Sequence, residues 1–217
     1  MNKKIPFVIF AATALVIIVS IALFAPKTTE ASPALLDTPE SRQIQGVIRR
    51  SYEIEAIAAR TFDTSQFSTV FANDPLGKLS PPTVAFVRDA IAVNSDLGYM
   101  ASKTDDELGY LDYKLAYYIW WKKEAEKFET LQAVAEEENR ALTEEEAASF
   151  IDSSGRVAAP RADGDATIPN LRFLSIEIEG DIAWATFDDG PRTIQATLVK
   201  RNGQWFLAGV KLLELHP

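Results

Sequence analysis

The sequence predicts an α+β protein in which N-terminal helices pack on a curved four-stranded antiparallel sheet, preceded by one transmembrane or signal helix. Three observations predict this class. Residues 171–215 have the pattern of four consecutive strands, residues 39–139 have helical spacing, and residues 5–26 carry no charge. The sheet has two apolar faces and must be covered, and the upstream helices are the segments that can cover it.

Alternation and turn residues define the four strands. Residues 174–179 alternate apolar and polar side chains, which is the period of a half-buried strand. Gly and Pro in the turns at 180–181 and 188–191 interrupt the ladder. Asn202-Gly203 predicts a type I′ hairpin, because both central residues of that turn need positive φ. The last strand is predicted to alternate strictly, with Trp205, Leu207 and Gly209 on one face and Phe206, Ala208, Val210 and Leu212 on the other.

The apolar run 5–26 predicts either an uncleaved membrane anchor or a cleaved signal peptide. A helix of this length spans about 33 Å, which is one bilayer core, whereas the apolar core of a signal peptide is about 7–15 residues long. Lys3 and Lys4 precede the run and are expected to stay in the cytoplasm. Residues 27–38 then form a linker to a domain outside the cytoplasm. Thr29-Glu30-Ala31 is a passable cleavage site, so a secreted form remains open.

Charge and cysteine content exclude several classes of partner. The formal net charge is −9, and residues 1–30 hold three Lys and one Glu, or +2, so the remainder carries −11. An acidic exterior argues against nucleic acid and anionic lipid surfaces, because both need a basic patch. The chain has no Cys, which excludes disulfides, thiolate metal sites and a lipid-anchored N-terminal Cys. No cofactor or metal motif is present.

Capping residues mark the helix starts. Thr38-Pro39-Glu40 combines a capping hydroxyl, Pro in the first turn and an acid near the positive end of the helix dipole, so the first helix is predicted over 39–61. Pro81-Pro82-Thr83 starts a second helix. Residues 136–146 are rich in Glu, and Thr143 marks the start of a further helix within them. These glutamates are predicted to be solvated rather than to bind a cation.

The longest helix, predicted over about Asp105–Asn139, contains a turn that is apolar nearly all round. Such a turn is either core, a surface for a protein partner or second copy, or a small-molecule stacking platform. The candidate interface residues are Tyr117, Tyr118, Trp120 and Trp121.

Four segments together resemble the nuclear-transport-factor-2-like (SnoaL-like, cystatin-like α+β cone) superfamily. They are the helix Ile44–Ala59 with its Tyr52, the segment Asp63–Pro75, and the strand pairs Ile178–Trp184 and Leu198–Ala208. The resemblance makes residues 39–217 one domain with a helical insertion at about 100–165. It implies a cone in which the helices cover the concave face of the sheet.

Some members of this superfamily are isomerases, cyclases or dehydratases that use an Asp–His pair, or a Tyr and an Asp, inside the cone. Others bind ligands, dimerise or serve as assembly domains. His216 is the only histidine and lies outside every predicted element, so an Asp–His dyad is not expected. Tyr52 or Tyr113 with an Asp remains a candidate acid–base pair.

The leading interpretation is an extracytoplasmic binding or assembly domain, membrane-tethered or secreted, without evident catalysis. The alternative is a small-molecule enzyme or carrier of isomerase or cyclase type, with a pocket inside the cone. Tyr52, Trp184 and Trp205 are its candidate pocket residues, although packing in the core is the simpler explanation for the two tryptophans. An enclosed cavity beside a buried Asp or Tyr would favour the pocket.

Overall fold

The described chain is α+β, with helices followed by a four-stranded antiparallel sheet, as predicted. The computed structural model describes residues 36–148, 150 and 168–216. The predicted anchor or signal at 5–26 and most of the linker lie outside the described residues. Within the described part, every helix is too short or too polar to cross a membrane.

The elements follow one another without a crossover connection in the sheet. The α-helices are α1 (Pro39–Thr61), α2 (Pro81–Val93), α3 (Tyr110–Glu137) and α4 (Glu144–Ala148). Short 3₁₀ helices lie at Phe67–Thr69, Pro75–Gly77, Ser95–Met100 and Asp105–Glu107. The strands are β1 (Arg172–Glu179), β2 (Ile182–Asp188), β3 (Arg192–Arg201) and β4 (Gln204–Leu215), and they pair in that order.

The predicted helix starts at residues 39 and 81 are confirmed by their caps. Thr38 Oγ1 accepts a hydrogen bond from the backbone N–H of Ser41 at 3.1 Å. Ser80 Oγ accepts one from the backbone N–H of Thr83 at 3.4 Å, and Pro follows each capping residue. The hydroxyls satisfy N–H groups that have no partner inside the helix, while Pro has no N–H there to satisfy.

The predicted start of the longest helix at Asp105 is wrong, because α3 begins at Tyr110. Gly109 is extended, with φ −128° and ψ −171°, and separates α3 from the preceding 3₁₀ turn. A Cβ at this glycine would lie 2.6 Å from Cβ of Asn73. The Asn73 amide also donates to Asp112 Oδ2 at 2.9 Å, so a contact from 39 residues upstream fixes where the helix begins.

The Asn202-Gly203 hairpin is confirmed, with φ of 51° and 80° at the two residues. Strict alternation along β4 is wrong, because a bulge at Ala208 shifts the register. Val210 therefore pairs with the buried Ala196 and lies on the same face as Leu207. Leu212 follows on that face.

One main core joins α1, α3, the first 3₁₀ helix and one face of the sheet. Small residues occupy the centre of that sheet face, and larger side chains from the helices pack on them. The members used below are Ile44, Ile48, Ile54, Phe67, Phe71, Tyr110, Tyr118, Ala183, Ala185, Phe187, Ala196, Leu198, Trp205 and Leu207. A second cluster, which includes Val87 and Leu97, lies beneath α2.

Among the described residues, the outer edge of β4 is covered along its first half. Leu207 exchanges backbone hydrogen bonds with the segment 70–72, at 2.8 and 3.0 Å, in a short parallel bridge. From Val210 to Leu215 every residue of the strand is exposed. Within the described part of the chain, this second half is an edge of mostly apolar residues without a partner strand.

The crossing of Gly77 over β4 generates a prediction about stability. A Cβ built on Gly77 would lie 1.7 Å from the carbonyl oxygen of Ala208, so backbone must move to admit it. We expect Gly77→Ala to lower the free energy of unfolding by about 1–3 kcal/mol, the cost of overpacking. Chemical denaturation measures this loss. Gly98→Ala is the matched control, since no atom lies within 4 Å of its built Cβ, and equal midpoints for the two variants would contradict the prediction.

Candidate functional site

The exposed face of α3 carries a connected group of aromatic rings, here called the aromatic surface. Tyr113, Tyr117 and Trp121 follow one another at intervals of four residues, with ring centroids 6.3 and 6.0 Å apart. Trp120 lies 6.2 Å from Tyr117, and Phe86 of α2 meets Trp120 edge-on at 5.6 Å. Each ring is held by two or more others, so the surface is preorganised.

The structure separates the four candidate interface residues. Tyr117 and Trp120 are 36% and 38% exposed, whereas Tyr118 is 5% exposed and belongs to the main core. Trp121 is half-buried and meets Phe62, at the end of α1, edge-on at 5.6 Å. Two of the four therefore face solvent, one lies at the edge of the surface, and one points inward.

A partly buried polar cluster lies beside the aromatic surface and joins α3 to α1. Lys114 Nζ lies 2.7 Å from Glu55 Oε2, and the Tyr118 hydroxyl donates to the Glu55 backbone carbonyl at 3.4 Å. The Lys114 ammonium also stands 5.3 Å from the ring centre of Tyr110 and 5.6 Å from that of Phe71. These contacts fix the positions of the Lys114 ammonium on α3 and of the Glu55 carboxylate on α1.

The electrostatics of this cluster keep Lys114 charged and Tyr118 neutral. Burial acts to lower the pKa of Lys114, but Tyr110 and the Glu55 carboxylate outweigh it, so that pKa is raised above its ordinary value. Burial and the Glu55 carboxylate both raise the pKa of Tyr118. Neither group is poised to exchange a proton near neutral pH, and the cluster has the character of a structural anchor.

A second polar group places Tyr52 beside an aspartate. The Tyr52 hydroxyl donates to Asp189 Oδ2 at 3.0 Å, and Arg192 Nε donates to the same oxygen at 3.1 Å. Asp189 is 4% exposed, and the ring of Tyr52 meets Phe187 edge-on at 6.3 Å. Burial raises the pKa of Tyr52, and the Asp189 carboxylate raises it further. Of the two tyrosines considered as members of an acid–base pair, Tyr52 is the one that hydrogen-bonds to an aspartate.

The three candidate pocket residues do not come together. Trp205 is 3% exposed and lies in the main core, with the Lys200 ammonium 5.4 Å from its ring centre. Trp184 is half-buried, and it alternates with Ala183 and Ala185, whose side chains enter that core. It therefore lies on the opposite face of the sheet. Tyr52 reaches Asp189 at the β2–β3 turn.

Side chains fill the space between α1 and the sheet. Five of the largest fully buried side chains lie there: Ile44, Ile48, Phe67, Phe71 and Phe187. Four surface clefts of about 310 to 850 Å³ border the described residues, and neither Tyr52 nor Asp189 lines any of these four. A pocket beside the Tyr52–Asp189 pair has no support from these clefts.

His216 makes a contact that sequence reasoning missed. Its Nε2 lies 2.8 Å from Thr193 Oγ1, and that hydroxyl donates to Asp188 Oδ1 at 2.7 Å. The Thr193 hydrogen bond, with Arg172 beside the same carboxylate, holds the pKa of Asp188 below its usual value. The histidine thus has an aspartate 3.8 Å away with a threonine bridging them, at the end of the sheet. Asp188 and Thr193 flank the β2–β3 turn, and His216 follows β4. The three residues meet only because this turn packs against the end of β4.

The described residues contain no group of three His, Cys, Asp or Glu side chains placed to hold a metal ion. Comparisons with protein-family models, curated proteins and solved structures found no match to this chain. The chemistry of the site therefore rests on the residues themselves: an exposed aromatic surface, a partly buried ion pair beside it, and a separate Tyr–Asp–Arg group.

The Lys114–Glu55 pair generates a prediction about stability. Lys114→Met leaves the Glu55 carboxylate without its cation, and we expect a loss of about 2–3 kcal/mol, less than for a fully buried pair. Because the pKa of Lys114 is raised in the folded state, the contribution is present below the ordinary lysine pKa of about 10.4 and is lost as pH rises through the folded value. Denaturant unfolding at neutral pH and above pH 10 measures both effects.

Lys122→Met is the matched control for this substitution. Lys122 pairs with Glu126 at 3.8 Å on the same helix, and both side chains are more than half exposed. We expect its removal to cost under about 0.5 kcal/mol. If both variants unfold at the same denaturant concentration, the Lys114 pair does not anchor α3 to α1.

Proposed function

We propose that this chain is an extracytoplasmic binding and assembly domain whose binding face is the aromatic surface of α3. Residues 5–26 tether it to the membrane, or the domain is secreted if that segment is cleaved. The partner is a protein, either a second copy of this chain or a foreign subunit. The observation that carries the proposal is the pair of exposed rings, Tyr117 and Trp120, each fixed by neighbouring aromatic side chains.

Fixed, half-exposed aromatic rings are well suited to binding a protein. Tyr and Trp are enriched at the centres of protein interfaces, because each buries a large apolar area and has few rotatable bonds. Here the ring contacts and the partly buried Lys114–Glu55 pair have already ordered the surface, so its side chains lose little conformational freedom when a partner docks.

The aromatic surface extends to the C-terminal end of α1. α1 has 23 residues and is about 34 Å long, and Trp121 contacts Phe62 just beyond its last residue. A partner that docks there contacts the domain at the opposite end of α1 from its start at Pro39.

The architecture is consistent with a nuclear-transport-factor-2-like cone, which we include in the proposal. The supporting features are the order of helices before a four-stranded meander and the packing of α1 on one face of that sheet. In this interpretation α3 belongs to an insertion at about 100–165 that adds the binding face to the cone.

Sedimentation of the detergent-solubilised chain tests self-association. We expect a concentration-dependent dimer, and Trp120→Ser to weaken it about tenfold or more, as for a residue at the centre of an interface. Val134→Ser is the control, because Val134 is 41% exposed on the same helix but outside the aromatic surface.

A strict monomer at high concentration would remove the self-association part of the proposal. A photoreactive benzoyl-phenylalanine at position 117, with position 134 as control, then tests for a foreign partner in the source cell. A discrete adduct from position 117 alone supports the proposal. Equal or absent adducts at both positions contradict it.

An enzyme or carrier of isomerase or cyclase type is the second candidate, favoured by the Tyr52–Asp189 hydrogen bond. A general base works best with a pKa near the operating pH, whereas burial and Asp189 raise the pKa of Tyr52. We therefore expect Tyr52 to stay neutral at pH 10, where ordinary tyrosines ionise, and its stabilising effect to fade above that pH.

The difference in tyrosinate absorbance between the unmodified chain and Tyr52→Phe, followed from pH 7 to 12, measures the ionisation of Tyr52. If the two chains have equal tyrosinate absorbance at pH 10, Tyr52 is neutral there, as expected for a structural residue. A difference that develops near neutral pH would contradict the expected direction and would favour the enzyme candidate.

A further inference from the structure

A groove of about 850 Å³, here called the α1–β4 groove, runs between the first half of α1 and the β3–β4 hairpin. α1 contributes Gln43, Gly46 and Arg50 to it, and the hairpin contributes Gln204, Trp205 and Phe206. A second cleft of about 370 Å³ shares Ser68, Gln204 and Phe206 with the groove, so the two adjoin at these residues. The larger of the two has the volume of a small-molecule site.

Gly46 keeps the groove open at a cost to the helix. It lies inside α1, where glycine is among the least favourable residues. Packing does not require it, because no atom lies within 4 Å of a Cβ built at this position. A side chain here would extend into the space beside α1. Glycine at such a position allows a ligand to approach the backbone closely.

Trp205 adds a hydrogen-bond donor with no acceptor. Trp205 borders the groove and is 3% exposed, and its indole Nε1 is buried without a partner among the described residues. Most buried donors in folded proteins are paired, so an unpaired indole N–H beside a groove calls for an explanation. An acceptor on a bound molecule, reached by a small shift of the ring, would satisfy it.

The remaining groups identify the chemistry of the ligand. Gln43, Ser68 and Gln204 make no side-chain hydrogen bonds to other described residues, and amides and hydroxyls both donate and accept. No carboxylate lines the groove, although the chain holds 31 acidic residues. Arg50, the one cation in its lining, already binds Glu53 and Gln66 at 3.1 and 3.2 Å.

We propose that the α1–β4 groove binds a hydroxyl-rich oligosaccharide of low charge. Sugar hydroxyls both donate and accept hydrogen bonds, as do the amides and the hydroxyl of the lining. The two adjoining clefts together offer room for several sugar units. The site is separate from the aromatic surface, so it does not depend on the assembly function proposed above.

The test uses the full chain, labelled with ¹⁵N, in a detergent without a sugar headgroup. The probe is chitotetraose, a tetramer of N-acetylglucosamine, at about 10 mM, which exceeds a weak Kd of about 1 mM tenfold. The four tryptophans give four indole N–H signals, and Trp205→Phe identifies the one from Trp205. We expect that signal to shift with the probe while the signal of Trp120 stays in place.

Gly46→Leu is the variant that closes the groove. Leucine is a good helix former, so we expect the variant to keep or raise its melting temperature and to lose binding by tenfold or more. Gly98→Leu is the matched control, since Gly98 also has no atom within 4 Å of a built Cβ and lies outside the groove. Gln43→Ala combined with Gln204→Ala weakens binding without changing the shape of α1.

Three outcomes would overturn the proposal. One is an unchanged Trp205 signal at the stated probe concentration. Another is a shift that persists undiminished in Gly46→Leu, because the saccharide would then bind elsewhere. The last is a shift caused by tetra-alanine and not by chitotetraose, which would assign the groove to an extended peptide.

Discussion

The close packing of α1 on small residues at the centre of the sheet is the interaction on which the rest of the structure depends. Ala183, Ala185 and Ala196 are fully buried, and Ala185 pairs with Ala196 across adjacent strands. Their short side chains leave room for the isoleucines of α1 and for the ring of Phe67. A larger side chain at any of the three alanines would lift the helix from the sheet. α3 joins the same core through Tyr110 and Tyr118, and Lys114 ties it to α1 at Glu55.

α1 connects the two candidate sites. Glu55 meets Lys114 on the side toward α3, and this ion pair holds the helix that bears the aromatic surface. Gly46, about two and a half turns earlier, borders the groove beside β4. The two functions proposed for the domain therefore depend on different parts of one helix. Substitutions can separate them as long as the buried face of α1 is left intact.

Local patterns in the sequence predicted the elements that local interactions define. The capping hydroxyl of Thr38 and the Asn202-Gly203 turn depend on neighbours within a few residues, and both were predicted. The start of α3, the bulge at Ala208 and the contacts of Asp189 and His216 depend on distant residues, which no local pattern records. The aromatic turn of α3 was found, but only packing decided that Tyr118 enters the core while Trp120 does not.

The pairing of the first helix with the last strand determines when this chain can fold. Lys200 binds Glu40 across 160 residues, and Trp205 and Leu207 complete the core beneath α1. While residues 36–148 emerge from the ribosome, α1 has no sheet to cover, and its apolar face stays exposed until β4 is made. Contacts between residues so far apart in the sequence form slowly, because the chain must lose conformational entropy before these contacts can stabilise the fold. Folding therefore follows synthesis of the sheet, and the unfinished chain presents the apolar face of α1 to whatever chaperone or export factor meets it first.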